Sequence, residues 1–225
     1  MQAATSKPTL RLAQSSDLSA IASCWYYAFF HDDVIGDFMH PHRDQHPHDV
    51  YWFHYRGIRE RFWDWRHQFI VAVVTEDGKE KVVGAADWRR IGEGGRMREL
   101  AWLDPRNLLR PIVSFRNRLS LRLIPNRAAD PENVSFLDSH SDRYWTGEHA
   151  ECWDLHVCGV DPDHQGKGIG KMLISWETGM ADQEGVSASV LCGMENRGFY
   201  RKSGFTEEIL KGDGGGIVLF RSAKT

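Results

Sequence analysis

Apolar side chains alternate with polar ones in TLRLA (residues 9–13). They then recur at helical spacing at Leu18, Ile21, Ala22, Trp25 and Ala28, with Ser15, Ser16 and Asp17 placed to cap the new element. The chain thus opens as strand, then helix. A stretch of histidine and proline, HPHRDQHPH (residues 40–48), reads as a loop, and the aromatic-rich Tyr51–His67 as a second helix. In QFIVAVVTEDGKEKVVGAADWRR (residues 68–90), two β-branched runs flank Asp77-Gly78, which is a strong hairpin signal. GEGG (residues 92–95) breaks that pattern. Between about 97 and 148, Leu108, Leu109, Ile112, Leu119 and Leu123 fit one or two amphipathic helices, the second starting at Asp130-Pro131.

ECWDLHVCGVDP (residues 151–162) reads as a strand ending at Pro162. The helix after it carries Ile169, Met172, Leu173, Trp176 and Met180 on one face and stops near Gly185. SASVLCGM is another strand, ENRGFYRKSG a short helix and GGGIVLFRS a last strand. A hairpin, then strand–helix–strand, then helix–strand, predicts an α/β (α+β) fold: a mixed, largely antiparallel central sheet flanked by helices. We read residues 1–225 as a single domain with an inserted helical segment at about 93–150.

Composition narrows the field. A hydrophobic content of 41% with nine tryptophans in 225 residues fits a globular chain, and a net charge of −3 gives no global case for nucleic acid or an anionic membrane. Cys24, Cys152, Cys158 and Cys192 are too scattered for a metal knuckle. The opening MQAATSKPTLRLAQ has no apolar leader, and no run approaches 18 apolar residues, so a cytoplasmic protein with reduced thiols is expected. His40, His42, His46 and His48 form two HxH pairs, but Pro41 and Pro47 sit inside them and no matching acid or cysteine follows; no metal is expected. Arg106, Arg110, Arg116, Arg118, Arg122 and Arg127 could grip an acidic partner; a solvated helix face is the more ordinary reading, and sparse aromatics argue against nucleic acid.

VDPDHQGKGIGKML (residues 160–173) spends glycines at 166, 168 and 170, between a strand and a helix. Such a loop is an anion site: unpaired amides and the macrodipole face outward, and glycine lets a phosphate approach the backbone. The P-loop pattern fails, because position 165 is Gln and Met172 replaces the hydroxyl. The dinucleotide fingerprint fails on spacing and on its late position behind a hairpin.

The segment Val160–Trp176 resembles the first signature of the GCN5-related N-acetyltransferase superfamily, Q/R-x-x-G-x-G/A, through Gln165, Gly168 and Gly170. GFYRKSGF (residues 198–205) resembles the second, at the usual separation. The resemblance covers most of the chain outside roughly 93–150. It implies an acyl-CoA N-acyltransferase type of fold that moves an acetyl group from acetyl-CoA to a primary amine by direct attack, as a monomer or homodimer. The alternative is a catalytically silent module of the same fold that binds CoA or acyl-CoA.

The cofactor contacts the resemblance implies are Gln165, Gly166, Lys167, Gly168, Ile169, Gly170 and Lys171 at the phosphates, Cys158 and Val160 along a splayed strand, and Asn196, although its spacing to the FY pair is shorter than usual. Tyr200 fits the general acid, or else a hydrogen bond to the cofactor sulfur; a phenol with a pKa near 10 can protonate a thiolate whose acid lies near 8.5. His156 is the candidate base. Two-residue alternation would put it on the face of Val160 and Asp154, with Asp154 orienting it or replacing it through a water. Lys167 and Lys171 could equally be solvated helix-face lysines.

Overall fold

Strand β1 (Thr9–Leu12) pairs with the middle of β2 (His67–Glu76), and β2 turns through Asp77-Gly78 into β3 (Lys79–Ile91). Asp77 and Gly78 both take positive φ, 50° and 75°, the pair that a right-twisted two-residue hairpin needs. The computed structural model describes residues 6–97, 103–140, 144–211 and 216–224. Four further strands, β4 (Cys152–Val160), β5 (Ser187–Gly193), β6 (Glu207–Lys211) and β7 (Gly216–Arg221), complete a seven-stranded sheet in the order β1-β2-β3-β4-β5-β7-β6. Every neighbouring pair is antiparallel except β4 and β5.

Helices cover both faces, which is why β2 reads as an unbroken apolar run rather than an alternating one. Helix α1 (Leu18–Phe29) buries Leu18, Ile21, Ala22 and Trp25 against Phe69, Val71, Val73 and Ala85. The Trp25 indole N–H donates to Ala85 O at 3.1 Å. On the other face Ile70, Ala72, Ala86, Trp88, Trp153 and Leu155 meet Ile169, Leu173, Ile174 and Ala181 of a later helix.

The aromatic helix expected over Tyr51–His67 is α2, Pro47–Arg61. It starts earlier because Pro47 occupies the first turn, where its missing N–H costs nothing. It stops earlier because Asp64 closes a turn: its N–H donates to Arg61 O, its carboxylate accepts from Arg66, and its carbonyl takes the His67 N–H as β2 begins. A wide helical turn, Asp33–Phe38, precedes α2; the Asp32 carboxylate caps it by accepting from the N–H groups of Val34 and Ile35 at 3.0 and 2.8 Å.

After β3 come a single turn α3 (Glu93–Arg96), then α4 (Pro105–Leu123) and α5 (Pro131–His140), the last starting at Asp130-Pro131 as expected. Polar contacts seat α4 on α2: the Asn117 amide donates to Arg56 O at 3.0 Å, and Arg56 reaches Ser120 and Ile124 O. β6 was missed; its two glutamates and edge position hide the apolar alternation that marks an interior strand. Two helices remain, α6 (Ile169–Glu184) and α7 (Arg197–Lys202). Among the described residues no helix is long and apolar enough to cross a membrane.

Candidate functional site

At the end of β4, the Asp161 N–H donates to Val83 O, and the Asp161 carboxylate caps a short turn by accepting from Asp163 N at 3.0 Å. Gln165 folds back and donates from Nε2 to Val160 O at 3.1 Å. Gly166 and Gly168 then adopt φ of 72° and 80°, left-handed values that a residue with a Cβ resists, and α6 begins. Gly170 is close-packed instead: a Cβ there would lie 3.1 Å from Cζ of the part-exposed Phe199, whose ring would have to give by a few tenths of an ångström.

Ile169 is buried in the core, so it can offer a ligand only its amide. The first N–H groups of α6 have no intrahelical acceptor, and among the described residues none faces the amides from Gly166 to Lys171. The Lys167 ammonium donates to Asp163 O at 2.8 Å and ties the loop down, whereas Lys171 is exposed. Asn196 is exposed before α7 and does not cap it.

Beside this loop the sheet opens. β4 and β5 pair from Cys152↔Ser187 to Leu155↔Val190; after that β4 stays with β3 up to Val160, and β5 stays with β7 up to Gly193. The result is a wedge between residues 156–160 and 191–193. The Asp161 N–H points at β3, so the two-residue period turns the amides of Cys158 and Val160 away from β3, toward the wedge.

Tyr200 of α7 is buried, packed edge-on against Phe199 and Phe205. Burial, then the neighbouring Cys158, Cys192 and Asp32, holds its phenol well above the ordinary value, so the proton stays on. Burial likewise pushes the thiols of Cys158 and Cys192 up to about 12.

The alternation expected for His156 does not hold. Asp87 pairs with Val157 and Trp88 with Leu155, so His156 is the extra residue of a β-bulge. The bulge shifts the phase. Trp153, Leu155, Cys158 and Val160 pack on the α6 side, while His156 and Asp154 lie on the α1/α2 side with Val157. His156 therefore shares a face with Asp154 but not with Val160.

Around it stands a charged network whose members lie far apart along the chain. Asp87, fully buried, accepts from Arg61 Nε at 2.6 Å and from His67 Nδ1 at 2.7 Å; its carboxyl lies far below the ordinary range despite burial, because His67 and Arg61 hold it ionised. The His67 ring meets that of His156 edge-on, centroids 5.7 Å apart. The His156 imidazole is reached by water yet crowded on the protein side; that desolvation first, then Arg61, keeps its pKa well below the usual histidine value. Burial raises the Asp154 carboxyl against the pull of Arg89 (3.6 Å) and of the Ser189 hydroxyl, which donates to it at 2.9 Å.

Of the predicted site residues, the structure brings Cys158, Val160 and Tyr200 together at the wedge, with Gln165–Lys171 at its lip; His156 stands at the start of the opening on the other face, and Asp154 is buried below it where β4 and β5 are still paired. Asp33 also escaped notice; a Cβ on Gly193 would collide with its carboxylate, which sets an acid against the end of β5. Away from the wedge, His40 uses both ring nitrogens structurally, with Ile35 O at 2.7 Å and the Asn126 amide at 3.2 Å. Glu148, His149 and Glu207 bring three metal-type donors within 4.8 Å of one another beside β6. Two surface hollows lie elsewhere, one on α4 and one of about 640 Å³ between α1 and the β2–β3 hairpin.

Residues 135–207 match the acetyltransferase (GNAT) domain family. No curated protein matches the chain. Among solved structures, the fold is similar to histone acetyltransferase HPA2 and related acetyltransferase from Corynebacterium glutamicum (TM-score 0.61, 19% identity, 98% of each chain covered). It is also similar to PaiA N-acetyltransferase from Thermoplasma acidophilum in complex with coenzyme A (0.54, 12%, 96% of this chain and 99% of that one). A third likeness is arylalkylamine N-acetyltransferase 2 from Aedes aegypti (0.55, 13%, 97% and 100%). The matched segment is similar to the acetyltransferase (GNAT) domain family, and the sheet that carries it has the fold of these solved acetyltransferases.

Proposed function

We propose that the chain moves an acetyl group from acetyl-CoA to a primary amine by direct attack. One observation carries the reading: β4 and β5 part after Leu155, with left-handed glycines and a helix N-terminus at one lip and a buried, protonated tyrosine beside the opening. A coenzyme A complex and an arylalkylamine N-acetyltransferase among the similar structures support the cosubstrate and the reaction class.

In this reading the amides from Gly166 to Lys171 hold the diphosphate, Gln165 fixes the turn and Lys171 adds positive charge. The Cys158 and Val160 amides hold the pantetheine arm and the thioester carbonyl, and Asn196 meets the cofactor at the start of α7. The neutral amine attacks the carbonyl carbon, and the oxyanion is stabilised by the strand amides. As the C–S bond breaks, the departing thiolate takes the Tyr200 proton. The proton lost by the nitrogen goes to His156, whose lowered pKa keeps it neutral but a weaker base, one that serves only for the strongly acidic nitrogen of the tetrahedral adduct. Asp154, on the same face, is a second acceptor reached through water.

The test is thiol release from acetyl-CoA across a panel of aryl-alkyl, polycationic and peptide N-terminal amines. Tyr200→Phe is expected to lower kcat roughly 10²-fold or more with CoA affinity unchanged. His156→Ala is expected to lower kcat/KM and flatten its acid limb. Tight CoA binding without turnover on any amine would instead favour the silent binding module, and absence of CoA binding would end both readings.

A further inference from the structure

Helix α4 turns an apolar edge to water. Leu108, Ile112, Phe115, Leu119 and Leu123 are 68, 47, 68, 48 and 74% exposed, while Val113 and Asn117 on the opposite side are buried toward α2. The five follow one another at steps of four, three, four and four residues. At about 100° per residue they fall within a strip roughly 80° wide. A helix lying on a membrane or facing a core presents a broader apolar face; a strip this narrow, returning every three and four residues, has the form of a seam between two helices.

The charges beside the strip have one sign. PRNLLRPIVSFRNRLSLRL holds five arginines and no acid. Arg106 is matched by Asp104 at 3.0 Å, and Arg110 by Asp64 at 3.0 Å with its guanidinium over the Trp65 ring. Arg116, Arg118 and Arg122 are exposed, and among the described residues no acid pairs with them. On the helix wheel Arg116 borders one side of the strip, and Arg118 and Arg122 the other. Next to Phe115 the surface sinks into a hollow of about 340 Å³ walled by Arg110, Pro111, Ser114 and Arg118, which suits a side chain ending in a carboxylate. A second copy docked through the same helix would set arginine against arginine, because a two-fold interface meets its own surface.

We propose that α4 is the docking site for an acidic amphipathic helix of another protein. That helix lays its apolar positions along Leu108, Ile112, Phe115, Leu119 and Leu123 and sets flanking carboxylates on Arg116, Arg118 and Arg122. The surface is independent of the wedge and of the acetyl-transfer reading.

The probe is a synthetic helix of about three heptads with leucine at a and d and glutamate at e and g, titrated by fluorescence anisotropy onto the full chain beside the same peptide carrying lysine at e and g. The glutamate peptide is expected to bind saturably, roughly tenfold or more tighter than the lysine one, and to weaken as salt rises. Two variants, Arg116→Glu/Arg118→Glu/Arg122→Glu and Phe115→Ser/Leu119→Ser, should each lose that binding by about tenfold or more while melting like the wild type. Equal affinity for the two peptides, or binding of neither, overturns the proposal. So does self-association in sedimentation that Leu119→Ser abolishes, or co-flotation with phosphatidylserine vesicles in place of peptide binding.

Discussion

Gly168 stands at φ 80° and ψ 2° immediately before α6, and a Cβ built on it meets nothing within 4 Å. Gly168→Ala is therefore free of steric cost and carries a conformational one, about 1–2 kcal/mol for holding an L-residue in the left-handed region. In a chain of this size that lowers Tm by roughly 2–8 °C. The added methyl stands in open space beside the loop, and in the anion-cradle reading it holds a diphosphate off the unpaired amides. Losing one or two charge-assisted hydrogen bonds, at about 1.5–3 kcal/mol each, weakens coenzyme A by at least about tenfold. Calorimetry with coenzyme A and with pantetheine, which has the same arm but no diphosphate, separates the two effects. The expected result is a loss confined to coenzyme A, beside a modest fall in Tm. If Tm falls while coenzyme A affinity stays within about twofold, or if both ligands weaken in parallel, the loop is an ordinary turn and the anion cradle is refuted.

His54 is buried among Trp25, Phe29 and Phe53 with Nε2 unpartnered among the described residues, and burial lowers its pKa to about 3. A folded value below the unfolded one means that its stability contribution is complete above about pH 6.5 and is lost as pH falls toward 3, at about 1.4 kcal/mol per unit. Denaturant melts should show the wild type losing roughly 2 kcal/mol more than His54→Phe between pH 7 and 5; parallel losses would contradict the assignment. Asp87→Asn leaves Arg61 and His67 without their buried anion and should cost about 3–5 kcal/mol at pH 7. Because the Asp87 carboxyl is depressed, that difference should persist above pH 4 and shrink in stronger acid; a loss independent of pH would point to packing alone. Trp25→Ala should cost about 3–5 kcal/mol by emptying the contact between α1 and the sheet, read from the shift in urea midpoint.

What could be read from the chain was what neighbouring residues decide. Asp77-Gly78 sets the hairpin, Asp130-Pro131 starts α5, and Gly166, Gly168 and Gly170 mark the loop, because each acts through its own backbone. What stayed hidden depends on distant partners. The phase of β4 departs from simple alternation because the bulge at His156 is a property of pairing with Asp87 and Trp88, about seventy positions earlier in the chain. Arg61, His67 and Asp87 meet only when α2, β2 and β3 are assembled. The Asp33–Phe38 turn and β6 lack a periodic apolar signature, the first because its backbone spacing is irregular and the second because its neighbour β7 supplies the burial.

The cysteines lend themselves to a practical use. Burial pushes the sulfhydryls of Cys24, Cys152, Cys158 and Cys192 up to about 12, against about 8.5 for an unperturbed cysteine, while the thiol of released coenzyme A is in open solvent. At mildly alkaline pH a disulfide dye therefore reacts with released coenzyme A while the folded chain stays dark, so turnover can be followed without blocking the enzyme. Denaturant exposes all four groups at once, and the same reagent then becomes a clock for global unfolding.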